Sequence, residues 1–497
     1  MMKTDLLKFY KEYKEKLFAY DFAFTSINFD QATIAPKDGN DFANRMVSVL
    51  SGEYFTYLTA PEHIEKLQLL HDETEDLELK KELALDLRNL HQISKLPKEV
   101  YVDFELTTAQ AERIWEKARE NNDYESFKPH LLSIIEKLKH MLTYYDYQGS
   151  DYDYLLDQYE RGMTTQKYDA FFEDIKEKLV PLIHRIAASG KTIDRSPLEK
   201  DYDVNGQKKF MEQIKEALKI DPKKCYISES AHPFCALFSL NDVRFTTRYM
   251  PNNIPSAILS TIHEYGHGLY DLQLNPAYEL SSFATELGYA MHESQSRLLE
   301  NYIGRNKSFW QPLYPQLQEI FPEQLGEVSL EHFMEMINDS EPSLIRVEAD
   351  ELTYPLHVLI RYEIEKAIFD GSADLDALDT LWADKYEEYL GIRPETYKDG
   401  ILQDIHWSGG MFGYFPSYVL GSAFAAQFYN QMKKDLDVDD LLVNDNFQEI
   451  AKWLKENIHQ YGASKTFSEL LVDVTGEDFK PNYYTDYLVE KYTKLYF

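Results

Sequence analysis

Residues 260–271 read STIHEYGHGLYD. His263 and His267 stand four positions apart around Glu264, so in a helix both imidazoles project from one face. That spacing lets two ring nitrogens reach one zinc ion at ~2.0–2.1 Å, with Glu264 beside them to take a proton from an attacking water. Gly266 and Gly268 occupy the same stretch, and each costs roughly 1 kcal/mol against alanine in a helix interior. A helix packed only for its core has little reason to accept both, whereas close approach of another element or a ligand gives one. The bland alternative is a chance match on a packed helix, drawn from the 14 histidines of the chain.

A catalytic zinc takes three protein ligands and keeps one position open. The following helical stretch, TELGYAMHESQSRLLEN (285–301), supplies Glu293 as the chosen third ligand, 26 residues after His267, with Glu286 as the alternative. Ligating imidazoles are oriented by groups that accept their second N–H. Asp271, one turn beyond His267, is placed for that role. His292 is a second candidate, and a purely structural histidine is an equal reading of it.

These residues need elements to hold them. The helix carrying the histidines is expected to begin near Pro255-Ser256 and to stop before Pro276, because proline suits a first turn and ends a following one. Just before it, CYISESAHPFCALFSLNDVRFTTRYM (225–250) contains turn residues and the alternating run Val243-Arg244-Phe245-Thr246, the pattern of a small β-sheet or hairpin. Most of the remaining chain has a helical period. DLLKFYKEYKEKLFAY (5–20) places Leu6, Phe9, Tyr13 and Leu17 on one face, and 123–145 and 167–189 read as amphipathic helices, the last interrupted at Pro181. Turn clusters at 189–197 and 249–256 separate such segments, with no repeat or flexible linker. The expectation is a mainly α-helical single domain over residues 1–497, in which a helical N-terminal half (about 1–200) covers a catalytic half (about 201–497).

Composition narrows the partners. Fifty-two basic against 85 acidic residues give a net charge of −33, which argues against nucleic acid or an anionic membrane. Two cysteines, Cys225 and Cys235, make no disulfide framework and fit a reducing compartment. The first 20 residues carry charges throughout and no apolar core of a signal peptide. The longest apolar run, YFPSYVLGSAFAAQFY (414–429), contains Pro416 and Gln427 and falls short of a membrane span. A soluble, cytoplasmic protein is expected.

HEYGHGLYD followed by GYAMHESQSRLLEN closely resembles the carboxypeptidase Taq family of zinc metallocarboxypeptidases. Further matches follow in order: Asp242, Arg244 and Thr246 in DVRFTTRY (242–249), then IRVEAD (345–350), GILQDIHW (400–407) and GYFPSY (413–418). Nearer the N-terminus, NFDQATIAPKDGNDFANRMVSVLS (28–51) resembles a family segment in which Phe29 stands where tryptophan is usual. The resemblance implies a mainly helical fold with a deep groove, like that of neurolysin and angiotensin-converting enzyme, and a homodimer. It also implies removal of single C-terminal residues from peptides, with broad specificity except near proline, by one zinc per chain. Cobalt or another divalent metal is left open.

Under that resemblance His263, His267 and Glu293 hold the metal and Glu264 is the general base. A donor must face the developing oxyanion. His406, Tyr414 and Tyr418 are the candidates, with His406 and Tyr418 preferred. A carboxypeptidase must also grip a free carboxylate, which the planar guanidinium does best. Arg244 and Arg346 are the candidates, although Arg244 has Asp242 nearby and Arg346 has Asp350 one turn along. Gln403 and Asp404 orient His406 or a substrate amide, or simply shape a turn. An oligo-endopeptidase of similar fold would need no carboxylate grip, and a helical scaffold with a structural metal would need no Glu264.

Overall fold

In the computed structural model, which describes residues 3–497, Leu6, Tyr13 and Leu17 form the buried face of a first helix, Lys3–Thr33. Phe9, expected beside them, is only partly buried. Tyr10 lies deeper because its hydroxyl donates to Asp86 at 2.9 Å. These side chains join Leu67, Leu70, Leu83, Leu87 and Leu90 in a small core distinct from the main one, which extends from Phe104 to Tyr496. A buried cation ties the small core to a third cluster that holds Tyr270, Leu274 and Phe283. Lys14 donates to Asp86 at 3.2 Å and to the hydroxyl of Ser282, whose own backbone N–H donates to Glu82 at 3.0 Å.

The helix Thr165–Ser189 runs through Pro181 without the interruption the sequence predicts. An internal proline costs ~3 kcal/mol. Eight side chains on this helix are buried, Tyr168, Phe172, Leu179 and Ile183 among them. At ~1.5–3 kcal/mol for each large apolar side chain, their burial outweighs the lost hydrogen bond.

Three strands form the small sheet: β1 (Cys225–Glu229), β2 (Cys235–Ser239) and β3 (Asp242–Thr247). Their spatial order is β1–β3–β2, with β1 parallel and β2 antiparallel to β3. Cys225 and Cys235 lie on the two outer strands as free thiols. From β3 the chain turns into the histidine helix, Ile254–Gln273, whose first turn is capped by the Asn253 side chain accepting from Ser256 N–H. Among the described residues no helix is long and apolar enough to cross a membrane.

The two glycines of the histidine helix face different neighbours. At Gly268 a Cβ would sit 2.9 Å from Val243 of β3, so this glycine seats the helix on the sheet. At Gly266 a Cβ would sit 2.5 Å from the Ser296 Cα and 2.6 Å from the Gln295 carbonyl, both in the next helix, Tyr289–Arg297. That second helix is pinched again from its far side. A Cβ on Gly421, in the helix Pro416–Asp435, would meet Glu293 Cβ at 2.8 Å. The Glu293 helix is therefore wedged between the histidine helix and a third helix, with bare backbone at both contacts. Because the obstruction at Gly266 is main chain, it has no rotamer with which to yield. Gly266→Ala is expected to destabilise the protein by about 1–3 kcal/mol and to weaken metal retention with it. Thermal melting and metal analysis of one preparation check both parts.

Candidate metal centre and active site

His263 and His267 lie one turn apart, and Glu293 reaches them from the wedged helix. One ligand atom from each of the three falls within 4.8 Å of the others. The Glu293 Oε2 is 3.7 Å from His263 Nε2 and 3.4 Å from His267 Nε2. Tetrahedral ligands bound at ~2.0–2.1 Å are separated by about 3.3–3.4 Å, so these three groups fit a single ion with little adjustment.

The far nitrogens are occupied. His263 Nδ1 lies 2.9 Å from Glu300 Oε2. His267 Nδ1 lies 2.6 Å from His292 Nδ1, and His292 Nε2 lies 2.9 Å from Asp271 Oδ1. If His267 turns its Nε2 lone pair to a metal, its Nδ1–H donates to His292, which in turn donates to Asp271. Asp271 thus sits one link farther out than the sequence reading placed it, and His292 fills the intervening position. Burial pushes the His267 imidazole down to about 4, so the ring is the neutral form a metal requires. His263 shifts upward. Burial opposes that shift, but Glu293 and Glu300 outweigh it.

Glu293 and Glu300 are themselves held. Arg297 Nε donates to Glu293 at 2.6 Å and its Nη1 to Glu300 at 3.2 Å. Against burial, Arg297 and the imidazoles keep both carboxyls well below the usual carboxylate range. Glu300 lies on a π-helical stretch, Leu298–Gly304, a distortion that recurs at functional sites. Neither Arg297 nor Glu300 was selected from the sequence. The signal available was spacing alone: Glu300 follows Glu293 by seven positions, two turns along one face. Glu286, the alternative third ligand, precedes this helix and is not in the cluster.

Glu264 is buried beside the ligands, and no described group donates a hydrogen bond to it. Burial pushes its carboxyl up to about 7, with Glu293 and Glu300 adding to the shift against His263.

The segment 403–418 comes near this cluster at Tyr414, whose hydroxyl feels the Glu293 charge. His406 stacks against Tyr414 with ring centres 5.5 Å apart and stands 6.4 Å from the Tyr418 ring, while Tyr414 and Tyr418 are 5.1 Å apart. The His406 Nδ1 is buried without a hydrogen-bond partner, 4.0 Å from Asp404 Oδ1, and burial pushes this imidazole down to about 4. Burial raises both tyrosine hydroxyls, so they stay protonated donors.

The other residues of the segment are spent on holding it. The Gln403 Oε1 accepts from Arg346 N–H at 3.0 Å, and its amide donates to the carbonyls of Leu344 and Asp399. Of the sequence readings of Gln403, as a contact to substrate or His406 or as a shaper of the turn, these bonds fit the last. Asp404 accepts from Arg346 at 2.9 Å and from Arg361 at 2.6 Å. Arg346 thus pairs with Asp404 and not with Asp350, which caps the next helix through Thr353. Its Nη1 points to the Tyr354 hydroxyl at 3.4 Å, and its guanidinium lies 5.2 Å from the Tyr418 ring. Arg244 is elsewhere. It grips Asp242 through two bonds of 2.9 and 2.6 Å and lies over the Phe238 ring at 3.8 Å, against the first helix.

Comparison with known proteins finds relatives among metallopeptidases. The sequence profile of the carboxypeptidase Taq (M32) metallopeptidases matches residues 9–492. Carboxypeptidase 1 of Bacillus subtilis is 40% identical over 495 residues, covering 99% of this chain and 97% of that protein. Thermostable carboxypeptidase 1 of Thermus thermophilus is 36% identical, covering 94% of each. A solved structure of Pyrococcus furiosus carboxypeptidase superposes with a TM-score of 0.94 at 33% identity, covering 99% of each chain.

Proposed function

This chain belongs to the carboxypeptidase Taq (M32) metallopeptidase family, and from that premise we propose that it removes single C-terminal residues from peptides through Glu264 and a zinc ion on His263, His267 and Glu293. It is a metallocarboxypeptidase; the metal's identity, the residue roles and a broad side-chain preference are the proposal. The observation that carries it is a buried glutamate with no hydrogen-bond donor, set directly beside three convergent ligands. A structural metal has no use for such a group.

Bound at these ligands, zinc would lower the pKa of water toward ~7 and polarise the scissile carbonyl. Glu264 takes the proton of the attacking water and returns it to the leaving amine. His406 and Tyr418 donate to the oxyanion, with Tyr414 stacked behind them. The peptide's terminal carboxylate goes to Arg346 rather than Arg244, since Arg346 lies beside Tyr418 and its Nη1 has only the long 3.4 Å contact with the Tyr354 hydroxyl.

An unblocked peptide incubated with chelated and with zinc-reconstituted enzyme tests the reaction by mass spectrometry. The expected product is a ladder losing one C-terminal residue at a time, only with metal. Internal fragments without a ladder would give the chain an endopeptidase activity instead. For the carboxylate, Arg346→Ala is expected to raise KM on free-acid peptides by about 10–100-fold, the worth of a charged hydrogen-bonded pair. Binding of the C-terminally amidated peptide should change far less. Equal losses on both would take Arg346 out of this role.

A further inference from the structure

Glu365 lies in the middle of the helix Tyr354–Asp370 and is fully buried. No cation bonds to it. Three donors from two other segments converge on its carboxylate instead. The Trp407 indole N–H donates to Oε1 at 2.7 Å, and the Gly413 backbone N–H donates to Oε2 at 2.7 Å. The Tyr152 hydroxyl, from the helix Asp151–Tyr159, also donates to Oε2, at 2.9 Å. The first two donors are the ends of one loop. His406 stands immediately before Trp407 and Tyr414 immediately after Gly413.

We propose that Glu365 is a positioning residue for the reaction, a buried carboxylate that closes the 407–413 loop and so sets His406 and Tyr414 on the metal-facing side. The Met411 N–H donates to the His406 carbonyl at 3.0 Å within the loop, but among the described residues only Glu365 takes donors from both of its ends. Trp407 stacks on Phe412 inside it, at 5.8 Å and 7° between rings, which shapes the loop without anchoring it. Gly413 adopts φ +86°, and a Cβ there would meet the Leu155 main chain at 2.8 Å, so the loop end is pressed onto the Tyr152 helix and steered toward the carboxylate. Three donors on two oxygens need a group that only accepts. An amide would offer one acceptor and turn an NH2 against at least one donor.

This inference rests on the reading that His406 acts on the substrate, so the test separates the two. Glu365→Gln, His406→Ala and the double variant are compared by kcat and KM per bound metal. A misplacement near 1 Å in a reacting group costs ~10²-fold, so Glu365→Gln is expected to lower kcat by about 10–100-fold while moving KM less than about threefold and leaving metal content unchanged. In the His406→Ala background the same change is expected to cost under about threefold, because two residues acting as one unit are not additive. Trp407→Phe keeps an aromatic ring against Phe412 and removes the indole donor. It is expected to reproduce the kcat loss and the non-additivity, and it serves as the decisive variant if Glu365→Gln does not fold. Equal fold-losses with and without His406 would reduce Glu365 to a purely structural group and overturn the proposal. So would wild-type kcat in both variants. Wild-type activity in His406→Ala alone would instead remove His406 from the mechanism, and Glu365 with it as a residue acting through it.

Discussion

Glu264→Gln is expected to lower kcat by about 10²–10⁴-fold, the usual worth of a general base, while KM and metal content stay near those of the parent. Glu264 is not among the three ligand atoms, and glutamine has its shape, so the helix and the cluster keep their geometry. What disappears is proton affinity. A carboxyl pushed by burial up to about 7 both accepts a proton from water and gives it back near neutral pH; an amide does neither. The same shift predicts a gain in stability. The folded-state value lies above the ordinary 4.5, so unfolding releases a proton between those values and the folded state loses stability as pH rises from 4.5 to about 7. In metal-free protein the glutamine variant should therefore melt higher than the parent, with the gap opening across that window and constant above it. Steady-state kinetics, metal analysis and melting curves on one preparation decide the matter. Retained turnover would take Glu264 out of the mechanism, and loss of metal along with turnover would make it a support for the ligands.

The ease with which the sequence disclosed parts of this site follows from how far apart the partners lie along the chain. His263, Glu264 and His267 are within one turn, so helical geometry alone brings them together. The Pro255 start and the alternation at 243–246 are also local signals, and the helix and β3 formed where they were expected. The fit of Glu293 depends on Gly266 and Gly421 from two other helices, contacts that no periodicity encodes. Polar groups were harder to read because their partners are remote. Asp271 was assigned directly to His267, but the 2.6 Å approach of His292 inserts a link between them. Gln403 reads in sequence equally as an orienting or substrate-contacting group and as a turn residue. Its hydrogen bonds to positions 344 and 346, remote in sequence, and to 399 fit the turn role. Glu365 gave no signal at all. Placed among Glu363 and Lys366 in the run RYEIEK, it reads as solvated until the donors of residues 152, 407 and 413 are seen to meet on it.

Glu293→Gln is expected to abolish both metal retention and turnover. The substitution replaces a carboxylate whose Oε2 lies 3.4 and 3.7 Å from the two imidazole nitrogens with a weaker neutral ligand. It also leaves Arg297 with Glu300 as its remaining carboxylate, and removing one partner of a buried pair costs about 3–5 kcal/mol. Lost activity is therefore not diagnostic by itself. The discriminating readout is linkage: added zinc raises the melting temperature of whatever folded protein binds it, by RT ln(1 + [L]/Kd). Zinc should shift the parent strongly upward and leave Glu293→Gln unmoved, even where the variant's metal-free melting point is lower. Glu300→Gln provides the graded comparison, since loss of a group that orients a ligand costs ~10–100-fold in metal affinity and not the whole of it. Glu286→Gln, outside the cluster, should respond to zinc as the parent does. A full zinc shift in Glu293→Gln would break the three-ligand assignment, and a shift lost in Glu286→Gln would transfer the third ligand there. The position of Glu293 against Gly421 predicts the first pattern, because no other described carboxylate joins the two imidazoles in a three-ligand cluster.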